Sequence, residues 1–243
     1  MNVTMYDKLL KLPLFQGLSQ KDLTEIIEKI KVEFRTYGRN KFIVKQGMSC
    51  SNLIYVMDGS VEVSTTDSLN RFCIREHLGS YQIIEPYSLF GLKSAYTSSY
   101  KACETTRILI IPKKYILSVL CKYEIFNLNY LNILSNRAQA VQLKIWNSQP
   151  ETTLERIIDF IAIRCTYPYG AKEVSVKMKD LATIINDTRI NISRTLNELS
   201  DKNLIALRRK IIIINDFQQL VLFSEQEKDK LKETNKIPNK ESE

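Results

Sequence analysis

The spacing of apolar positions changes along this chain, and each change marks a different kind of element. Near the start, Leu23, Ile26, Ile27 and Ile30 recur at three- and four-residue steps, behind a Ser19 placed to cap and an Asp22 suited to a first turn. That spacing predicts an amphipathic helix. From about Phe34 the period shortens: KFIVKQ, NLIYVMDG, SVEVSTT and RILIIP are short β-rich pieces, and five of the seven glycines (Gly38, Gly47, Gly59, Gly79, Gly91) fall among them. Short strands punctuated this regularly predict a double-sheet roll or barrel.

Pro112 ends the last of these strands, and residues 113–149 then contain no glycine or proline to interrupt a helix. In its second half Leu131, Leu134, Ala138, Val141 and Ile145 alternate three- and four-residue steps, an a/d seam along which helices pack. Such a helix packs either on its own domain or on a second copy. The stripe is narrow and flanked by Asn136, Arg137, Gln139 and Gln142, which favours a homodimer interface. Pro150 marks a joint, since proline cannot continue the hydrogen-bonded helix. Beyond it Leu154, Ile157, Ile158 and Ile161 predict a helix over 152–164, followed by the turn-rich TYPYG and a strand around EVSV. The segment 225–243, EQEKDKLKETNKIPNKESE, is charged and almost free of apolar residues, and is read as a disordered or partly helical tail. The domains expected are therefore 1–112, a linking helical region 113–149, 150–224, and the tail.

Residues 177–205, KMKDLATIINDTRINISRTLNELSDKNLI, are the most informative. Asp180 to Ile185 predicts a short helix, Asn186 suits a left-handed turn, and Thr188 can cap a second helix running to Leu199. With Ile192, Leu196 and Leu199 inward, Arg189, Ile190, Asn191, Ser193, Arg194 and Asn197 face outward or to the edges. This is a helix-turn-helix pattern. An arginine can donate two hydrogen bonds to guanine and an asparagine can pair with adenine in the major groove, while Thr188 and Ser193 suit phosphate. The alternative is a solvated helix with ordinary surface arginines. The next segment, LRRKIIIIND, favours the DNA reading, because Arg208, Arg209 and Lys210 form a basic turn before an apolar strand, as in a wing lying along the backbone. Residues 172–210 hold nine basic and five acidic side chains, Lys177 and Lys179 among them.

Composition narrows the classes. With 35 Lys and Arg against 27 Asp and Glu the formal charge is +8, and the pI is about 9.1, which favours a polyanionic partner. No apolar run is long enough to cross a bilayer and the start lacks a signal-peptide pattern, so a cytoplasmic protein is expected. Cys50, Cys73, Cys103, Cys121 and Cys165 are scattered and offer no CxxC pair. The single histidine, His77, excludes chemistry that needs two imidazoles. No phosphate loop or dinucleotide turn is present, so an enzyme is not expected.

Taken in order, these segments resemble the CRP/FNR family of cyclic-AMP receptor and fumarate-nitrate regulators. LPLFQGLSQKDLTEI is similar to the family's opening helix and KFIVKQGMSCSNLIYVMDGSVEV to its first β-roll hairpins; SLFGL stands where its ligand cassette begins, ahead of a dimerisation helix and helix-turn-helix. The resemblance implies an α+β chain with an N-terminal double-stranded β-roll (jelly-roll, cyclic-nucleotide-binding-like), a long dimerisation helix and a C-terminal winged helix-turn-helix. It also places a candidate effector pocket at Phe90, Gly91, Leu92, Ser98, Ser99 and Lys101.

The departures bear on the ligand. Cyclic-AMP-binding members carry a glutamate after the Phe-Gly pair and an Arg-Ser or Arg-Thr pair some ten residues later. Here Leu92 follows Gly91, and YTSSYKACET offers only Lys101, so cyclic AMP is not the expected effector. The cysteines lack the N-terminal clustering of iron-sulfur members. Haem through His77 and thiol oxidation are minor options. Arg189 is followed by Ile190 where the cyclic-AMP receptor has Arg-Glu, which changes the expected half-site, since Ile190 can touch a thymine methyl but cannot accept from cytosine.

The expected function is a homodimeric, sequence-specific regulator of transcription. Its partners are a near-palindromic double-stranded operator, RNA polymerase if it activates, and an unidentified small-molecule effector, with no membrane. The competing reading is a regulatory ligand-binding or scaffold module of a larger assembly that does not bind DNA, which calls for a phosphate-binding arginine and no basic helix-turn-helix; the sequence has the reverse.

Overall fold

The structure, a computed structural model, describes residues 5–147 and 150–234. The chain divides into two compact units. The first holds residues up to 65 together with 77–143; the second holds 66–76 together with the chain from 144 onward.

In the first unit, helices α1 (Met5–Leu10) and α2 (Gln20–Lys29) precede the strands. Ser19 starts α2 through a capping box: its side chain accepts from the Asp22 N–H while Asp22 reaches back to the Ser19 N–H. The strands are β1 (Glu33–Tyr37), β2 (Phe42–Val44), β3 (Asn52–Asp58), β4 (Val61–Thr66), β5 (Phe72–Leu78), β6 (Gln82–Ile84), β7 (Ser99–Ala102) and β8 (Thr106–Pro112). One antiparallel sheet runs β1-β8-β3-β6, and a second pairs β7 with both β2 and β4. Leu53, Tyr55, Val61, Val63, Ile108 and Leu109 are buried among the residues of this double-sheet roll. Gly59 turns β3 into β4 at φ 97°, where a Cβ would lie 2.8 Å from Thr106 Oγ1 and 2.9 Å from the Thr105 carbonyl oxygen; this turn requires glycine.

The expected continuous helix after Pro112 is broken in two, α3 (Lys113–Ser118) and α4 (Glu124–Asn147), with a short 3-10 turn over Leu120–Lys122. Val119 leaves the helical region (φ −124°, ψ −62°). Local propensity permitted a helix here, but the chain turns so that Leu120 and Phe126 are both buried. Phe126 packs against Phe15 and Tyr130, and the Tyr130 hydroxyl donates to the Pro86 carbonyl at 2.6 Å.

The second unit is a winged helix-turn-helix: α5 (Thr153–Arg164), β9 (Lys172–Val176), α6 (Met178–Ile185), α7 (Arg189–Asp201), β10 (Ile205–Arg208), β11 (Ile211–Ile214) and α8 (Phe217–Thr234). Ile157, Ile161, Leu181, Ile192, Leu196, Ile214 and Phe217 form its core. Of the segment 225–243, read from sequence as a disordered or partly helical tail, residues 225–234 continue α8. Phe217 and Leu220 anchor that helix in the core, and Lys228 pairs with Glu155 at 2.9 Å, so a polar sequence extends an already nucleated helix. Residues 235–243 lie outside the described residues.

The strand segment 66–76 also belongs to this unit, though its sequence position had placed it in the 1–112 domain. Phe72 to Arg75 pair antiparallel with Val176 to Glu173, and Phe72 and Ile74 join the core, Phe72 packing on Phe160. At the end of this pairing Glu76 and Lys172 are buried and bonded at 2.6 Å. Glu76 also accepts from the Thr166 and Tyr167 amides, and Lys172 also donates to the Tyr169 carbonyl.

Candidate nucleic-acid interface

Helix α6 ends on Asn186 in the left-handed conformation (φ 53°, ψ 57°), its N–H bonded to the Ala182 carbonyl. Thr188 then caps α7, its side-chain oxygen accepting from the Asn191 N–H at 3.1 Å. Between them Asp187 organises the turn: Oδ1 accepts from the Thr188 N–H at 2.6 Å and from Asn191 Nδ2 at 2.9 Å, and Oδ2 accepts from Thr153 Oγ1 at 2.6 Å. The hydrogen bonds from Thr153 and Asn191 hold its carboxyl below the usual carboxylate range. Arg156 donates to the Asn186 carbonyl at 2.8 Å, tying the turn to α5. This carboxylate is the residue that sequence reasoning missed in the turn; its only signal was an Asx residue just before a threonine cap.

With Ile192, Leu196 and Leu199 buried, the outward face of α7 presents Arg189, Ile190, Ser193, Arg194 and Asn197, all exposed, Ile190 at 72%. Strands β10 and β11 form a hairpin whose turn is Arg209 and Lys210, with Arg208 opposite Ile211 and Lys210 at φ 64°. A groove of about 270 Å³ lies between α7 and this wing, lined by Ser193, Asn197, Arg208 and Lys210. Lys177 and Lys179, also exposed, stand at the start of α6. Among the described residues none of the seven cations (Lys177, Lys179, Arg189, Arg194, Arg208, Arg209, Lys210) has a carboxylate within 4.0 Å, and Asp187, two positions before Arg189, is engaged inside the turn. Lys172, counted in the local basic charge, is instead buried with Glu76. Asn191 is exposed, but one of its amide hydrogens is used by Asp187.

The other sequence-selected residues lie in the first unit. On α4, Leu131 is exposed, at 60%, as are Ala138 and Val141, while Leu134 is half-buried; the side chain of Ile145 lies outside the described ones. Leu128, 57% exposed, extends the stripe by one step and was not singled out from sequence.

The six effector-pocket candidates do not converge. Leu92 points to solvent, and Phe90 packs against Tyr130 with Lys113 over its ring, beside Gly91 at φ 98°. On β7, Tyr100 and Ala102 are buried, so Ser99 and Lys101 take the opposite face of the pleat. Lys101 pairs with Glu62 at 2.8 Å, and Ser99 Oγ accepts from the Gln46 N–H. Ser98 alone is buried; beside it, and missed from sequence, is the buried carboxylate of Glu85.

None of the five cysteines, all among the described residues, forms a disulfide. Burial pushes the Cys50 thiol up, assisted by the nearby Glu85 charge, which disfavours the reactive thiolate. His77 is exposed, with Nδ1 3.8 Å from Cys103 Sγ. Among the described residues no three His, Cys, Asp or Glu side chains gather as metal ligands, and no helix is long and apolar enough to cross a membrane.

Residues 34–123 match the cyclic nucleotide-binding domain family and residues 155–223 the Crp-like helix-turn-helix domain family. The cAMP-activated global transcriptional regulator CRP of Haemophilus influenzae is 25% identical over 188 residues, covering 73% of this chain and 82% of that protein. The catabolite activator protein of Thermus thermophilus has the same fold, with a TM-score of 0.50 at 20% identity over 86% of this chain and 96% of that one. A cyclic-nucleotide-binding-like roll followed by a Crp-like winged helix-turn-helix with an exposed basic recognition face makes this chain a member of the CRP/FNR family of DNA-binding transcription regulators.

Proposed function

We propose that this protein binds a near-palindromic DNA operator as a homodimer and does so without cyclic AMP. The observation that carries the DNA part is the set of seven exposed cations on α7, at the start of α6 and on the wing. Arg189, Ile190 and Arg194 are the base-reading candidates, with Thr188, Asn191 and Ser193 toward phosphates at the helix N-terminus. Lys177, Lys179, Arg208, Arg209 and Lys210 supply backbone contacts that position the helix without reading sequence.

The homodimer is supported by the exposed stripe Leu128, Leu131, Ala138 and Val141 on a helix whose opposite side is already buried through Phe126. A second copy of α4 is the occupant that a repeating a/d seam fits, since each helix offers the other the same knobs and holes. Two recognition helices would then read half-sites about one helical turn apart.

The Haemophilus influenzae relative is described as cAMP-activated. That property is not carried over. Leu92 faces solvent where a ribose acceptor would be needed, and Lys101, the only cation of the segment, is committed to Glu62. RNA polymerase contact and an effector of other chemistry remain part of the reading, without a residue assigned to either.

Selection from a randomised duplex library, followed by sequencing, tests the core of this reading. Wild type should enrich a palindrome without added nucleotide, and R189A with R194A should lose it. Each lost base contact is expected to weaken binding by about 1–3 kcal/mol, whereas removing a phosphate contact such as Arg209 should instead flatten the salt dependence by about one unit of slope. No enriched sequence from wild type, with only salt-sensitive binding, would refute sequence-specific recognition.

A further inference from the structure

Glu85 is 2% exposed and sits at φ 37°, ψ 59°, a left-handed conformation unusual for a side chain of this size. Its Oε2 accepts from the Thr97 N–H at 2.7 Å and from Ser88 Oγ at 2.7 Å; its Oε1 accepts from the Ser98 N–H at 2.9 Å. Among the described residues no Lys, Arg or His forms an ion pair with these oxygens within 4.0 Å. A buried carboxylate without a cation persists only where hydrogen-bond donors replace its hydration. Two consecutive backbone amides converging on one anion, with a hydroxyl beside them, form a cradle for an oxyanion. Ser88 and Ser98 are themselves buried, and Ser98 Oγ is fixed at 2.6 Å from Thr65 Oγ1, so the cradle is held in place by the roll.

We propose that the first unit carries its own anion: the Glu85 carboxylate occupies an oxyanion cradle built by Thr97, Ser98 and Ser88, and this internal occupant closes the cradle to external phosphates and carboxylates. The group bound is the one an anionic effector would present, and it is delivered by a backbone held in a strained conformation. This inference goes beyond the DNA-binding reading and is tested without DNA, so the two fail independently.

The experiment vacates the cradle. Glu85→Gly removes the carboxylate and suits the left-handed backbone, leaving space shaped like a propionate ion. Thermal unfolding is followed in sodium propionate and in inorganic phosphate, against sodium chloride at equal ionic strength. The variant should show a saturable rise in Tm, reaching several degrees at a concentration about a hundredfold above the dissociation constant. Wild type and Glu85→Gln, whose neutral side chain still fills the space, should show none. In parallel, the backbone amide resonances of Thr97 and Ser98 in wild type are followed during titration with inorganic phosphate. They should not move, and both should shift upfield in Glu85→Gln as the charged acceptor is lost. Saturable movement of either amide in wild type overturns the proposal, as does a folded Glu85→Gly that shows no saturable response to propionate or phosphate. If Glu85→Gly does not fold, the resonance measurements on wild type and Glu85→Gln decide alone.

Discussion

Replacing Lys172 by methionine is the most direct probe of how strand segment 66–76 is held in the winged-helix unit. Methionine keeps the length and apolar stem of lysine and removes the ammonium group. Glu76 then loses its 2.6 Å partner and the Tyr169 carbonyl its 2.8 Å donor, while the Thr166 and Tyr167 amides continue to bond the carboxylate. Both side chains of the pair are 2% exposed, so the stranded charge is not rehydrated. Removing one partner of a buried pair typically costs about 3–5 kcal/mol, and the two surviving amides place the expectation near the lower end, at about 3 kcal/mol. Hydrogen exchange at the β9 and β11 amides around Val174 and Ile212 reads the opening of this unit directly, and a change of about 3 kcal/mol accelerates it on the order of a hundredfold. Glu76→Gln with Lys172→Met should cost less than the sum of the single substitutions by more than about 1 kcal/mol, because the pair is coupled. A cost for K172M below about 1 kcal/mol, or additive single effects, would show that the pair is hydrated and that segment 66–76 is not fastened as described.

Other consequences follow from the turn and from α4. Asp187→Ala removes an acceptor used by Thr153, Thr188 and Asn191 and should cost about 1.5–3 kcal/mol while weakening operator binding. Because the folded-state pKa of Asp187 lies below its unfolded value, the stability it supplies is present above pH about 4 and is lost as pH falls through the folded value. Urea unfolding between pH 3 and 7 should therefore show an acid-labile component in wild type that is smaller in Asp187→Ala; equal pH profiles would count against this role. Leu131→Arg sets two like charges against each other across the proposed α4 seam, costing several kcal/mol, so the dimer dissociation constant should rise on the order of a thousandfold. Sedimentation should then report a monomer whose circular dichroism is unchanged, and an unshifted dimer would place the interface elsewhere.

Much of the architecture was legible because it is written in local terms. The capping box at Ser19, the left-handed Asn186 and the Thr188 cap each require a specific residue type at one backbone conformation, and the structure places each where its residue type indicates. The recognition helix was legible for a similar reason: burial of Ile192, Leu196 and Leu199 fixes by helical period which residues face outward. The effector segment was not. Alternation along β7 turned Ser99 and Lys101 away from Ser98, and Lys101 found Glu62, a partner on a strand nearly forty positions earlier.

The sequence by itself determined the order of elements, the helix-turn-helix and the basic wing, because periodicity, capping chemistry and charge act over a few residues and need no distant partner. Only the tertiary structure decided where the chain breaks before α4, that Phe72 and Ile74 serve the core of the C-terminal unit, that Lys172 is a buried ion-pair partner rather than part of the basic face, and that Glu85 is buried against Thr97 and Ser98. Each of these depends on residues far apart in the chain being desolvated together, and the free energy of burying a charge or an aromatic ring is set by what surrounds it in space, which local sequence does not encode.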